Sequence, residues 1–334
     1  MHRRLAALFV ALLVATAAAP AGASEDPDFD LQWGLKLTST PAAWPITTGE
    51  RVRVGIVDTG IDLEHEDLAG RVVSHIACIE TDGDPGRCKD SGQDVFGHGS
   101  HVAGIIAAVK DNEHGIAGVA PDADLVVARA ITASGGGSTA DVNAAIHWVV
   151  DRGAKVVNLS LGDAVFLTGA VFGSDLKSGI DYAWSKGAVP VVASGNSNVG
   201  GLGVGSAEYG DINALIVGAT GPDDQPSGYS SPTGNAKWAV VAPGGHGGEE
   251  GVYSTLWVEG KKNQYGYQSG TSMAAPHVSG AVALLLGMGL GPQEAVETIL
   301  ATAEKQVSCG PDSPTCAGRL NVGAAVAAAR GAAR

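Results

Sequence analysis

Four polar residues stand where the chain passes from one kind of predicted element to the next. Asp58 follows the apolar run "VGIV", and Asn196 follows the run "VVASG". His98 opens the helical pattern "HGSHVAGIIAAV", and Ser272 opens the pattern "SMAAPHVSGAVALLL". An acid, an imidazole and a hydroxyl in the chain order Asp, His, Ser form one of the recurring arrangements for nucleophilic catalysis by serine.

This chemistry assigns a role to each of the four residues. A serine hydroxyl is a poor nucleophile until a base removes its proton, and His98 is the candidate base for Ser272. A buried Asp58 would hold the tautomer of His98 and stabilise the imidazolium. Asn196 can donate its side-chain N–H to an oxyanion, together with the backbone N–H of Ser272 at a helix start. A serine at a helix start is by itself usually an N-cap, so the prediction depends on all four residues together.

The neighbours of Ser272 support this interpretation. They are small, as the stretch "GTSMAA" at 270–275 shows, and small neighbours let a substrate backbone approach the hydroxyl. Pro276 has no N–H, so the carbonyl of Ser272, four residues earlier, loses its helical partner. A proline inside a helix goes against the usual sequence preferences of helices, and such a departure beside a reactive group indicates a functional site.

The elements that must position these residues alternate along the chain. Runs rich in β-branched residues predict strands at 51–57, 124–131, 154–161, 189–194, 214–219 and 238–243. Helical patterns occupy 98–109, 138–152, 174–187, 271–287 and 292–304. Continuous apolar strands separated by helices predict an α/β fold, with a mostly parallel twisted sheet covered by helices on both faces. We expect a single domain over residues 24–330, with ligands beyond the carboxyl ends of the strands.

Three motifs carry a resemblance to a known family. They are "VDTGID" around Asp58, "HGSHVAG" from His98 and "GTSMAAPHVSG" around Ser272, and "ASGN" ends at Asn196. In this order they resemble the motifs of subtilisin-like serine peptidases, the subtilase family, and most closely its thermitase-type members. The resemblance extends over residues 26–328. It implies a subtilisin-like fold and a secreted serine endopeptidase that hydrolyses peptide bonds in protein or peptide substrates.

The resemblance also implies residues that hold the substrate. Two segments would form edge strands that pair with a peptide, and a third would form one wall of the primary pocket. In such pairing the main chain gives affinity and side-chain pockets give selectivity. The edge strands would be Gly135, Gly136 and Gly137 on one side and Ser160, Leu161 and Gly162 on the other, and the wall would be Ala193, Ser194 and Gly195.

A structural Ca²⁺ site is a further implication of the resemblance. The segments "HEDL" at 65–68 and "VKDNEHGI" at 109–116 match a family loop that donates only oxygen atoms, which suits calcium. A merely solvated acidic loop is the alternative. The implied ligands are the side chains of Asp26, Asp67 and Asn112 and the carbonyls of Val109, His114 and Ile116.

The ends and the charge of the chain bear on where it works. Residues 1–23 predict an export signal, with Arg3 and Arg4 before an apolar stretch and "AGA" at 21–23 as the cleavage site. A membrane anchor is the alternative, but a span needs about 20 apolar residues. We expect a secreted, soluble monomer. The net charge of −14 over 334 residues argues against nucleic acid as a partner.

Four cysteines suit an exported chain. Three pairings are possible, and nearness in sequence favours Cys78 with Cys88 and Cys309 with Cys316. Zinc is the alternative, although neither pair has the spacing of a zinc site.

Other functions remain as alternatives. A catalytically silent member of the family, serving as a binding or scaffold protein, would not need all four residues of the catalytic set. The turn "DTG" at 58–60 also occurs in aspartic proteases, but those enzymes need two such turns in apolar strands. His98 and His101 lack the Glu of a metalloprotease helix.

Only a short segment separates residue 23 from the strand at 51, so we expect refolding without an added pro-domain.

Overall fold

An eight-stranded sheet forms the centre of the protein. The computed structural model describes residues 23–161, 174–196 and 209–332. The strands of this sheet pair in the order β10-β7-β6-β5-β4-β1-β3-β2. They are β1 (Arg53–Asp58), β2 (Val72–Ala77), β3 (Asp124–Arg129), β4 (Val156–Leu159), β5 (Val189–Ala193), β6 (Leu215–Thr220), β7 (Trp238–Pro243) and β10 (Cys316–Arg319).

All pairings within this sheet are parallel. A separate antiparallel hairpin joins β8 (Val252–Leu256) to β9 (Gln264–Gln268). The helices are α1 (Trp33–Leu37), α2 (His98–Ala107), α3 (Thr139–Asp151), α4 (Ser174–Ser185), α5 (Thr271–Gly287), α6 (Pro292–Thr302) and α7 (Val322–Ala332).

Helices cover both faces of the sheet, so the predicted α/β fold class is confirmed. Side chains alternate between the two faces of each strand. Val191 of β5 packs in the core on the side of α2, α5, α6 and α7, whereas its neighbour Val192 packs in the core on the side of α3 and α4. Because both faces are buried, the central strands have the continuous apolar sequences that predicted them.

Several element predictions need correction. Strand β1 begins at Arg53 rather than at 51, and β3 ends at Arg129 rather than at 131. The predicted helix 98–109 ends at Ala107, because the chain then turns into the extended backbone of Ala108. The sequence patterns missed β2, β8, β9 and β10, and they also missed α1 and α7.

Both favoured disulfides are formed. Cys78 pairs with Cys88, and Cys309 pairs with Cys316, so the predicted pairing is confirmed. None of the helices within the described ranges is long and apolar enough to cross a membrane. Most of the predicted signal, residues 1–22, lies outside those ranges.

Candidate active site

The carboxyl edge of the sheet brings the predicted residues to one side of the molecule. Strand β1 lies between β3 and β4. The strands that follow it in the chain first add on one side of β1, as β2 and β3, and then on its other side, from β4 onward. Clefts at such a reversal are where open α/β sheets bind ligands. Asp58 is the last residue of β1, and Asn196 lies three residues beyond the end of β5. Helices α2 and α5, which begin at His98 and Thr271, pack against each other.

Asp58 and His98 form the hydrogen-bonded pair that the sequence predicts. Oδ1 of Asp58 lies 2.7 Å from Nδ1 of His98. The aspartate side chain is 1% exposed and the imidazole 23% exposed, so the acid is buried and the base is accessible. Oδ1 also accepts the backbone N–H of Thr59 at 2.7 Å, which fixes the carboxylate. With Nδ1–H donating to Asp58, Nε2 is left as the basic nitrogen.

The surroundings also set the proton affinity of this base. Burial by itself lowers the pKa of His98. The negative charge and hydrogen bond of Asp58 oppose that effect, with a smaller contribution from Asp94, and the net pKa of His98 is raised. A raised pKa means that the imidazolium formed when His98 takes a proton is stabilised.

A glycine allows the start of α2 to approach the end of β1. A Cβ on Gly99 would lie 2.0 Å from the carbonyl oxygen of Gly60 and 3.2 Å from Cβ of Asp58. No side chain fits at that distance, so glycine directly after His98 is required for the contact between base and acid.

Asn196 is oriented at the start of α5. Its Oδ1 accepts the backbone N–H and the hydroxyl of Thr271, both at 3.0 Å. The oxygen is therefore engaged, and Nδ2 remains as a donor. A Cβ on Gly270 would lie 3.4 Å from Nδ2, which places the amide nitrogen beside the residues that lead into Ser272. The structure thus brings Asn196 to the N-terminus of α5.

A hydroxyl replaces the missing helical partner of Ser272. The carbonyl of Ser272 accepts a hydrogen bond from Oγ of Ser160 at 2.7 Å, inside the core. Oγ of Ser160 in turn accepts Nδ2 of Asn158 at 2.8 Å, and Oδ1 of Asn158 accepts the hydroxyl of Ser279 at 2.8 Å. The carbonyl that Pro276 leaves free is therefore tied to the end of β4.

The predicted substrate-binding segments differ in how much backbone they leave free. Ser160 is 1% exposed and its hydroxyl is used internally, so this residue can contact substrate only through its main chain. Residues 135–137 form no strand: Gly135 N–H donates to Thr132, and Gly136 accepts from Thr132, in a tight turn. Leu161 is buried, and Gly162 lies outside the described residues.

The predicted pocket wall is held rigidly. Ala193 is fully buried, and Oγ of Ser194 donates to the carbonyl of Ser231 at 2.9 Å. The hydroxyl of Tyr209 donates to the carbonyl of Ser194 at 2.9 Å, and the carbonyl of Gly195 accepts the N–H of Ser231 at 2.9 Å. These bonds fix the segment that follows β5.

The side chains of the predicted calcium site meet at one place. Asp67 is fully buried, and its two oxygens accept Nδ2 of Asn112 and the N–H of Ile116, both at 2.8 Å. Asp26 accepts the N–H groups of Asp111 at 2.9 Å and Asn112 at 3.0 Å. Burial raises the pKa of Asp67 and outweighs the hydrogen bonds from Ile116 and Asn112, which act to lower it.

The carbonyls predicted to complete that site fit it as well. Those of Val109, His114 and Ile116 accept no hydrogen bond from the described backbone, although Ile116 is fully buried. Because a buried carbonyl normally has a partner, a cation would supply the one that the carbonyl of Ile116 lacks. The described residues contain no group of three or more His, Cys, Asp or Glu side chains that could hold a metal, and the predicted set has only two carboxylates.

His101 holds the hairpin instead of a metal. Its Nε2 lies 3.0 Å from the carbonyl of Val252 on β8 and 3.1 Å from that of Gly266 on β9. Burial lowers the pKa of His101 to about 3, so the ring is neutral and donates to these carbonyls. This side chain fastens the β8–β9 hairpin to α2.

Comparison with known proteins identifies the family. Residues 49–318 match the model of the Subtilase family. The chain belongs to the subtilase family. Thermitase of Thermoactinomyces vulgaris is 37% identical over 302 residues, which cover 90% of this chain and 98% of thermitase. The thermophilic serine proteinase of Bacillus sp. (strain AK1) is 38% identical over 276 residues, which cover 82% of this chain and 62% of that proteinase.

A solved structure agrees with this assignment. A protease from Pseudoalteromonas arctica PAMC 21717 superposes with a TM-score of 0.75 at 30% identity, covering 92% of this chain and 99% of its own. This subtilase is therefore a subtilisin-like serine peptidase, and its substrates are peptides or proteins.

Sequence reasoning missed some residues that shape this site. Thr271 orients Asn196, and Asn158 holds Ser160, but neither type of contact has a local sequence signal. Asp94 is a fully buried acid four residues before His98. Its position in "QDVFGHGSH" could have drawn attention to it, because an acid so close to a candidate base changes the charge around that base.

Proposed function

We propose that this subtilase is an exported serine endopeptidase that cleaves peptide bonds with Asp58, His98 and Ser272. The observation that carries the proposal is the 2.7 Å contact between Asp58 and His98, with the acid buried and the base accessible. His98 takes the proton of Ser272 as the hydroxyl attacks the scissile carbonyl, and later gives it to the leaving amine. Asp58 stabilises the imidazolium between these steps.

The oxyanion of the tetrahedral intermediate is stabilised at the start of α5. Asn196 donates from Nδ2, because its Oδ1 is occupied by Thr271. The backbone N–H of Ser272 supplies a second donor at the positive end of the helix. Donors that are already fixed need no reorganisation during the reaction, and this makes them effective in the transition state.

A peptide substrate would lie along the carboxyl edge of the sheet. We propose that it pairs with the main chain near Gly135–Gly137 and Ser160–Gly162, and that its primary side chain meets Ala193–Gly195. In the first segment, the N–H of Gly135 and the carbonyl of Gly136 already bond to Thr132. The carbonyl of Gly135, the N–H of Gly136 and the main-chain groups of Gly137 are therefore left for the substrate.

We further propose that one calcium ion binds at Asp26, Asp67 and Asn112 and at the carbonyls of Val109, His114 and Ile116. The buried Asp67 and the unpartnered carbonyls support this proposal. When bound, the ion would neutralise the buried charge and join the segment near residue 26 to the loop after α2. We also propose that the mature protein is secreted, as the predicted signal at 1–23 indicates, and that it is a monomer.

The replacement Ser272→Ala tests the assignment. It should reduce peptide hydrolysis by more than about 10³-fold, because the attacking oxygen is removed. A fluorophosphonate should label wild-type protein at Ser272 and leave the variant unlabelled. Ser279→Ala, in the same helix, is the matched control and should remain labelled. Wild-type protein that is folded but neither hydrolyses peptides nor reacts with the probe would instead be a silent binding or scaffold protein.

A further inference from the structure

A second buried carboxylate lies beside the Asp58–His98 pair. Asp94 is fully buried in the loop between β2 and α2, and the catalytic steps above do not use it. Among the described residues it has no Lys, Arg or His within ion-pair distance, since none of their ion pairs includes it. A buried charge without an ionic partner is costly, so the hydrogen bonds that it accepts must stabilise it.

Those hydrogen bonds connect the two sides of the catalytic pair. Oδ1 of Asp94 accepts the hydroxyl of Thr59 at 2.8 Å and the N–H groups of Phe96 at 3.0 Å and Gly97 at 2.9 Å. Oδ2 accepts the N–H of Ser100 at 2.9 Å and its hydroxyl at 2.5 Å. Thr59 follows Asp58 directly, whereas the other three residues flank His98. The carboxylate therefore holds the residue after the acid and the backbone on both sides of the base.

Two neighbouring residues complete this connection. The hydroxyl of Thr59 accepts the N–H of Gly99 at 2.9 Å, so it joins Asp94 to the first turn of α2. The hydroxyl of Ser100 accepts the N–H of Asp62 at 2.8 Å, beyond the end of β1. Removing the carboxylate of Asp94 would leave buried donors on both elements without an acceptor.

We propose that Asp94 is a positioning residue that fixes the distance between Asp58 and His98 and adds negative charge beside the base. The proposal rests on the proposed function, because it assumes that His98 is the catalytic base. Among the described residues, the charged groups that act on His98 are Asp58 and Asp94, and both act to raise its pKa. His101, one turn further along α2, stays neutral and adds no charge.

The variant Asp94→Asn tests both parts of this role. It keeps the shape of the side chain but removes the charge and presents an N–H₂ group to buried donors. We expect kcat to fall by about 10- to 100-fold with little change in KM, since a displacement of about 1 Å near the reacting groups can cost about 10²-fold. The acid limb of kcat/KM should also move to lower pH, because His98 loses one source of negative charge.

Ser100→Ala is the matched control. It removes one donor to Asp94 and keeps the carboxylate, so the acid limb should stay at the wild-type pH while kcat falls less than in Asp94→Asn. Circular dichroism establishes that each variant is folded. If Asp94→Asn does not fold, Thr59→Val takes its place, because it cuts the connection to β1 and leaves the charge. A folded Thr59→Val with wild-type kcat would then overturn the proposal.

The measurements also separate this proposal from the proposed function. Wild-type protein that fails to hydrolyse peptides would overturn the function itself. With active wild-type protein, Asp94→Asn that keeps both kcat and the acid limb would overturn only the positioning role. A lower kcat with an unmoved acid limb would also overturn it, because a general loss of structure would explain that result.

Discussion

The hydrogen bond between Ser160 and the carbonyl of Ser272 leads to a quantitative prediction. Replacing Ser160 by Ala leaves two buried groups without partners, the Ser272 carbonyl and Nδ2 of Asn158. Each unsatisfied buried group costs about 1–3 kcal/mol, so we expect the two together to lower the free energy of unfolding by about 2–6 kcal/mol. Pro276 causes this dependence, because it cannot offer the Ser272 carbonyl a helical N–H.

A second substitution should therefore reduce the loss. Pro276→Ala supplies an N–H four residues after Ser272, and this group can bond to the carbonyl that Ser160→Ala leaves free. In the Pro276→Ala background, Ser160→Ala should cost about 1–3 kcal/mol less than in the wild-type background, a coupling of the size seen for residues that share a partner. The amide of Asn158 stays unsatisfied in both backgrounds.

Guanidinium unfolding of four proteins measures this coupling. All four should carry Ser272→Ala, which prevents self-digestion and keeps the carbonyl of residue 272. Ser279→Ala is the control: it removes the bond to Oδ1 of Asn158 but no bond to that carbonyl, so its cost should not depend on residue 276. An equal cost of Ser160→Ala in both backgrounds would refute the reasoning, as would a dependence on residue 276 that Ser279→Ala shares.

Three further predictions concern the catalytic pair, the oxyanion donor and the calcium site. Asp58→Asn should lower kcat by about 10⁴-fold, as in other triads. Because Asp58 raises the pKa of His98 and activity is lost when His98 is protonated, the residual activity of the variant should persist to lower pH. A pH–rate profile measures both effects. Asn196→Ala should lower kcat by about 10²–10³-fold with little change in KM, and the size of this loss is that found for the matching donor of subtilisin. Steady-state kinetics that show a change in KM alone would contradict an oxyanion role. Calcium at a hundredfold excess over Kd should stabilise the folded protein by about 2.7 kcal/mol, and Asp67→Asn should remove most of the resulting rise in melting temperature. Equal melting temperatures for the EDTA-treated and the calcium-loaded wild type would contradict the site.

Burial explains which elements the sequence predicted. Strands β6 and β7 are buried along their whole length, so they have continuous apolar sequences. Strand β2 alternates mostly between partly buried and exposed positions and carries Ser74 and His75. It therefore lacks the continuous apolar run that predicts a strand. Strand β10, "CAGR", has no apolar run, and it joins the sheet by pairing with the distant β7.

The same distinction applies to the site. Asp58 and His98 could be predicted because the first ends a buried strand and the second opens a buried helix, and both positions are visible in the local sequence. Asp94 could not be assigned a role, since its meaning depends on Thr59 and Ser100, which reach it only in the folded chain. The turn at 135–137 also depends on the contact with Thr132 rather than on its glycines alone.

The separation along the chain of the residues at the carboxyl edge has a consequence for the cell that makes this protein. Asp58 and His98 come from the first third of the chain, and Ser272 comes from its last third. The elements that carry them pack together only when β4, β5 and α5 have joined β1, and such non-local contacts form late and slowly. In a ribosome-bound or partly folded chain, the three proposed catalytic residues are therefore not yet assembled. With the proposed triad, hydrolysis would require the completed tertiary structure, and the nascent chain would not be cleaved before then.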